Sequence, residues 1–198
     1  MKTSALKLVI MDRDGTINED RDDFVKSADE WIALPGALEA IAKLNHAGWH
    51  VVVASNQSGL GRGLFDVAAL NAMHAKMFKQ LAVLGGRIDA VFYCPHTPDE
   101  HCACRKPQPG LYKQIAERYG LDLANVPVVA DSARDLQAAI AVGAPPHLVL
   151  TGKAAAFVPG APLPETFPAQ TQVHADLNEF AVYLSAQQEA ALKGSVVS

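Results

Sequence analysis

The chain has 198 residues, 49% of them hydrophobic and 19% charged, with a net charge of −4 and three cysteines. That length can bury a substantial core. No apolar run is long enough to span a bilayer, the odd cysteine count argues against a secreted disulfide framework, and an acidic chain without a basic stripe offers no general nucleic-acid surface.

In chain order, the opening MKTSALKLVIMDRDG carries too short an apolar stretch for a signal peptide and has no cleavage-type segment after it. It is read as leading into a first buried strand over 6–11, and the expected compartment is the cytoplasm. Helical spacing follows over 36–48, with Gly48 as the stop, and then a valine-rich strand over 49–55. A long amphipathic helix is expected over 66–86, capped by Asp66 and stopped near Gly85. Further strands are expected over 88–94, 126–130 and 146–150, with helices over 109–120, opened by a proline, and 132–143. Residues 152–170, rich in proline, alanine and glycine, read as a loop or linker outside the core, and 173–192 as a final helix with fraying end residues. Alternation of this kind predicts one α/β domain over 1–198, a parallel sheet with helices on both faces. Such sheets bind ligands beyond the carboxyl ends of their strands.

The chemistry-bearing residues fall at those ends. Asp12 and Asp14 follow the first strand, beside Gly15 and Thr16; Asp131 ends the fourth, with Asp135 one helical turn on. Either pair alone could be an acidic turn or a helix cap, as Asp131 could be for the helix that follows. Two acidic clusters at one sheet edge fit a hard cation held by oxygens, most simply magnesium. Ser55 and Asn56 end the second strand and lead into a glycine-rich loop carrying Arg62. Arg105 and Lys106 supply the counter-charge a phosphate needs.

All three cysteines lie in CPHTPDEHCACRKP, residues 94–107. Cys94, His96, Cys102 and Cys104 make a Cys3His set suited to tetrahedral structural zinc, with His101 as the competing imidazole. The alternatives are free thiols or a strained Cys102–Cys104 disulfide. A closed zinc site has no open position for chemistry; its task would be to fold the loop 94–106 and hold Arg105 and Lys106 over a phosphate.

The ordered motifs DRDGTIN, SNQSG, RKP and the Asp131 pair resemble those of the haloacid dehalogenase-type phosphatases, over about 125 residues. The resemblance implies a three-layer Rossmann-like fold with Asp12 as nucleophile and Asp14 as acid/base. It also implies that Ser55 and Lys106 steady the phosphoryl group, and that magnesium is held by Asp12, the backbone carbonyl of Asp14, and Asp131. Ala130 stands where the family usually has glycine, and Ser132 where close relatives often have lysine. With no large insertion between the first and second motifs, no separate cap domain is expected; residues 19–33 and the zinc loop would shape the pocket. Among zinc-loop members the chain is similar to the heptose 1,7-bisphosphate 7-phosphatases, which act in nucleotide-heptose and lipopolysaccharide core precursor synthesis, more than to the histidinol-phosphate phosphatases. The analogy places substrate contacts at Asp20, Arg21, Asp22 and Asp23, at Asn56, Gln57 and Ser58, and at Arg105. It implies a small sugar bisphosphate as partner and leaves the anomer of the sugar open; the charge balance and the absence of a long apolar run lead to an expectation of no nucleic-acid or membrane partner, and a monomer is expected although no motif fixes the oligomeric state.

Overall fold

The computed structural model describes residues 6–196. Met1–Ala5 and the last two residues, whose fraying was expected, lie outside it. Six parallel strands form one sheet: β1 (Leu8–Met11), β2 (His50–Asn56), β3 (Ala90–Cys94), β4 (Val128–Ala130), β5 (Pro146–Val149) and β6 (Gln172–His174), in the order β3-β2-β1-β4-β5-β6. The helices are α1 (Ala37–His46), α2 (Ser58–Gly61), α3 (Val67–Val83), α4 (Gly110–Tyr119), α5 (Ala133–Ile140) and α6 (Leu177–Val196).

The central strands are apolar throughout because both of their faces are covered. Along β1, Val9 and Met11 pack into one core with Trp31, Ile41, Met73, Met77 and Phe180. Leu8 and Ile10 point the other way, against Tyr112 and Ile115 of α4 and Ala138 and Ala139 of α5. This is the period-two alternation of a strand serving two layers. The helix ends follow local chemistry. Asp66 accepts from the Ala69 backbone N–H at 2.8 Å to cap α3. Gly48, beyond α1, takes φ of 85°, a conformation that glycine adopts without steric cost.

The C-terminal third differs from expectation. Residues 172–174 pair with β5 as an edge strand, and α6 begins only at Leu177. Asp176 caps α6, accepting from the Glu179 backbone N–H at 2.8 Å, while the Glu179 carboxylate reaches back to the Ala175 N–H. Nor is 152–170 outside the core: Ala154 is buried with Leu136 and Leu148, and Phe157, Leu163 and Phe167 pack on them. No helix among the described residues is long and apolar enough to cross a membrane.

β1 and β4 are neighbours whose connections leave in opposite directions, so a crevice opens beyond their carboxyl ends. Between β1 and α1 the chain forms only isolated bridges, Asp14 with Asn18 and Asn18 with Ala33, and no cap domain is inserted there.

Candidate active site

Asp12, the first residue past β1, and Asp131, the first past β4, meet in that crevice with Asp135 of α5; their carboxylate oxygens lie within 4.8 Å of one another. All three are buried. Burial, reinforced by the charge of Asp135, pushes Asp12 up to about 6; burial, with Asp12 and Asp135 adding to it, pushes Asp131 up to about 8. Asp131 does not cap α5: Ser132 stands at that position, and Asp131 accepts instead from the Lys153 backbone N–H at 2.7 Å. Gly15 and Gly152 close around the Asp131 carboxylate so tightly that a Cβ on either would run into it. An all-oxygen set of crowded, buried carboxylates has the donor chemistry of a magnesium site. Asp12 and Asp131 are the two side chains expected there; Asp135 joins them.

Lys106 is buried against the same carboxylates. Its Nζ donates to Asp12 Oδ1 at 3.0 Å and to the Ala54 carbonyl at 2.7 Å, and pairs with Asp135. Burial works to lower the lysine's pKa, but Asp12 and Asp135 outweigh it and raise it. Asp135, bound also by Ser132 Oγ, is held below the usual carboxylate range despite its burial, chiefly by Lys106. The Lys106 backbone is fixed from β2: Asn56 donates from Nδ2 to its carbonyl at 3.0 Å and accepts from its N–H at 3.1 Å.

Asp14 is held apart from this cluster. Arg13, fully buried, donates from its Nη2 to both Asp14 oxygens at 2.9 and 3.0 Å. Asn18 Nδ2 adds a bond at 2.9 Å and Gln57 Nε2 one at 2.8 Å. Burial raises the Asp14 pKa, but the Arg13 charge and these bonds outweigh it and hold the carboxyl below its ordinary value. Gln57 Nε2 also donates to Ser55 Oγ at 2.8 Å, linking the end of β2 to the loop after β1.

Above this floor lies a cavity of about 240 Å³. Asp12, Asp14, Ser55, Asn56, Gln57, Ser58 and Arg105 line it, as do Asp20, Arg21 and Asp22. Asp23, also expected to contact substrate, does not: it is exposed and paired with Arg21 and Lys26, at 3.0 and 2.6 Å. Sequence reasoning named no role for Arg13, Arg134 or Lys153, yet Arg134 and Lys153 line the cavity and Lys153 pairs with Asp20.

In the loop after β3, the Sγ atoms of Cys94, Cys102 and Cys104 and His96 Nδ1 gather within 4.8 Å of one another. Cys104 Sγ lies 3.2 Å from that of Cys94 and 3.4 Å from that of Cys102, and His96 Nδ1 lies 3.3 Å from Cys104 Sγ. Disulfide sulfurs stand ~2 Å apart, so no pair is bonded, and the cysteines are free. Three sulfurs and one imidazole nitrogen are the donor set of structural zinc. His96 completes the group; His101 stands outside it, exposed, with φ of 46°.

The chain matches the HAD-hydrolase-like family model over residues 103–179 and the polynucleotide kinase 3 phosphatase model over residues 7–137. It is 61% identical over 160 residues to the D-glycero-beta-D-manno-heptose-1,7-bisphosphate 7-phosphatase of Bordetella bronchiseptica, covering 81% of this chain and 89% of that one. It is 48% identical over 187 residues to the protein of the same name from Neisseria meningitidis, covering 93% and 98%. The crystal structure of the B. bronchiseptica D,D-heptose 1,7-bisphosphate phosphatase, complexed with magnesium and phosphate, superposes with a TM-score of 0.86 at 56% identity, covering 92% of this chain and 99% of that one.

Proposed function

The chain belongs to the haloacid dehalogenase-like hydrolases, with the heptose 1,7-bisphosphate 7-phosphatases as its near relatives, and from that premise we propose that it removes the 7-phosphate of D-glycero-β-D-manno-heptose 1,7-bisphosphate. The observation that carries this is the meeting of Asp12, Asp14 and Ser55 at one small cavity, with Lys106 buried against Asp12, in a chain 61% identical to a phosphatase of that name. The polynucleotide phosphatase model spans the motif-bearing part of the chain. A polynucleotide, however, would meet Asp20 and Asp22 lining the cavity and a chain of net charge −4. Carboxylates there suit sugar hydroxyls, which can donate to them.

In the proposed reaction Asp12 attacks phosphorus, forming an aspartyl-phosphate as the bond to the sugar oxygen breaks. Asp14 gives that oxygen a proton, then takes one from the water that cleaves the aspartyl-phosphate, restoring both groups. Bound to Arg13, Asn18 and Gln57, Asp14 is ionised at rest; before acting as acid it turns from these donors and takes a proton from solvent, which it then passes to the leaving oxygen. Lys106 and Ser55 hold the equatorial phosphoryl oxygens. Magnesium, held by Asp12, Asp131 and the backbone carbonyl of Asp14, would neutralise the phosphate charge that otherwise repels the attacking carboxylate. Zinc on Cys94, His96, Cys102 and Cys104 would carry no chemistry and fix the loop that presents Arg105 and Lys106. Cysteines not bonded to one another suit the reducing cytoplasm, and the enzyme is read as a monomer acting in heptose precursor synthesis.

Phosphorus NMR of the products tests this. The β-1,7-bisphosphate yields inorganic phosphate and heptose 1-phosphate, with the α anomer turned over more slowly. Loss of the anomeric phosphate, or histidinol phosphate cleaved faster than either anomer, would overturn the assignment.

A further inference from the structure

The buried face of α3 consists of Leu70, Met73, His74, Met77 and Leu81. The two leucines and two methionines pack in the core; His74 is the polar exception and takes no part in the proposed reaction. Its Nε2 lies 3.3 Å from Nη1 of the fully buried Arg13. A guanidinium has no lone pair to offer, so the imidazole accepts and the ring proton sits on Nδ1. Burial first, then the Arg13 charge, lowers the His74 pKa to about 4, so the ring is neutral and able to accept. The same guanidinium donates from Nε and Nη2 to Asp14, and from Nη2 to Gln57 Oε1 at 3.2 Å. Arg13 thus has three side-chain acceptors, of which only Asp14 moves a proton in the reaction.

A buried cation is costly to leave without acceptors. When Asp14 turns toward the leaving oxygen, Arg13 gives up its carboxylate, and His74 Nε2 and Gln57 Oε1 are the side-chain acceptors that remain to it. Without His74 the guanidinium either keeps hold of the carboxylate or follows it, and in both cases the acid/base reaches the leaving oxygen less often in the right place. We propose that His74 is a positioning residue for the acid/base: by anchoring Arg13 from α3, it lets Asp14 leave its resting bonds and return to the same place in each cycle. This rests on the phosphatase function proposed above and deepens it. His74 acts through Arg13 and touches none of the reacting atoms. Its role belongs to the step in which Asp14 gives a proton to a poor leaving group; an ester whose oxygen departs without a proton does not need it.

The test compares the magnesium-loaded wild type, His74→Leu, and His74→Gln, whose amide oxygen can still accept from Arg13. Rapid-quench single turnovers with enzyme in excess time the first chemical step through release of the alcohol. The substrates are heptose 1,7-bisphosphate and fructose 1,6-bisphosphate, which lose a sugar alkoxide, and p-nitrophenyl phosphate, whose phenolate leaves unaided. His74→Leu is expected to slow this step about 10- to 30-fold on the sugar esters, with steady-state KM changed less than about twofold, and less than about threefold on the aryl ester. His74→Gln is expected to recover most of the loss. Equal losses on sugar and aryl esters, or no loss on either, overturn the inference while leaving the phosphatase assignment standing. A His74 dependence on the fructose ester, with the heptose ester uncleaved, sinks the substrate assignment and supports the positioning role. Nitrogen-15 NMR of the histidine-labelled wild type reads the contact without any substitution. A bare Nε2 with the proton on Nδ1 is expected; the opposite tautomer would mean that His74 does not accept from Arg13, and overturns the inference.

Discussion

Lys106 reaches Asp12 because two other side chains hold it there. Asp135 binds the ammonium from below, and Asn56 clamps the backbone with two hydrogen bonds from the end of β2. Asn56→Ala removes both bonds at once while leaving every charged group in place. Kcat is expected to fall about 10- to 100-fold, with KM changed little, because misplacing a group that steadies the transferring phosphoryl costs the transition state more than the ground state. Steady-state kinetics decide it: a change confined to KM would mean that Asn56 serves binding rather than lysine position. At this scale the sequence disclosed the residues that stand in motifs, Asp12, Asp14, Lys106 and Asp131. It did not disclose Arg13, Arg134 or Lys153. A cation in a loop or a helix's first turn has no periodic signature, and what distinguishes Arg13 is burial against Asp14, His74 and Gln57, contacts made only on folding.

The loop after β3 has little apolar packing of its own beyond its three cysteines. Of the loop's own residues only Cys94 and Lys106 are fully buried; burial pushes the Cys94 thiol up to about 12, so a thiolate there needs a cation beside it. If the cluster holds the proposed zinc, a strong chelator or Cys102→Ser is expected to open residues 94–108 to proteolysis and lower kcat at least tenfold, since Arg105 and Lys106 leave with the loop. Limited proteolysis alongside activity reads this; a metal-free protein with an intact loop and full turnover would reduce the cluster to packed thiols. The ligand spacing was legible because metal chemistry fixes residue types as well as positions. The edge strand β6 was not. Three residues, two of them exposed, carry too little pattern, and their pairing depends on β5 being in place. The capping box of Asp176 and Glu179 was the local signal that set the true start of α6.

For the whole molecule, alternating strands and helices foretold the parallel sheet, and the order of strands then puts the crevice between β1 and β4 where both acidic motifs end. That arrangement leaves a pH dependence unrelated to catalysis. His147 and His174 face each other at 3.0 Å between β5 and β6, packed by Phe180 and Tyr183. Burial lowers His147 to about 4; burial, with Arg13 adding to it, lowers His74 to about 4. Unfolded, each titrates near 6.5. Between those values the unfolded chain binds protons that the native state does not, so stability is complete above about pH 6.5 and falls as pH drops toward 4. The limit is about 3 kcal/mol per histidine. Denaturant unfolding of the magnesium-loaded enzyme, where the Asp12 and Asp131 carboxylates are neutralised, should show this slope, flattened in His147→Gln. A stability independent of pH across that window would mean that the histidines open to water. The C-terminal segment also belongs to the site: Thr151 Oγ1 donates to the Gly15 carbonyl at 2.6 Å, and the Lys153 N–H, within the stretch read as a loop or linker, holds Asp131.

The central claim is that Asp12 is the atom-transfer centre, and trapping the intermediate tests it most directly. Enzyme mixed with β-heptose 1,7-bisphosphate and magnesium, acid-quenched within one turnover and digested, is expected to carry one phosphoryl group on the peptide containing Asp12, with none on Asp12→Asn and turnover of that variant reduced at least ~10⁴-fold. An unmodified peptide at every quench time, together with an Asp12→Asn variant that still turns over, would contradict the account.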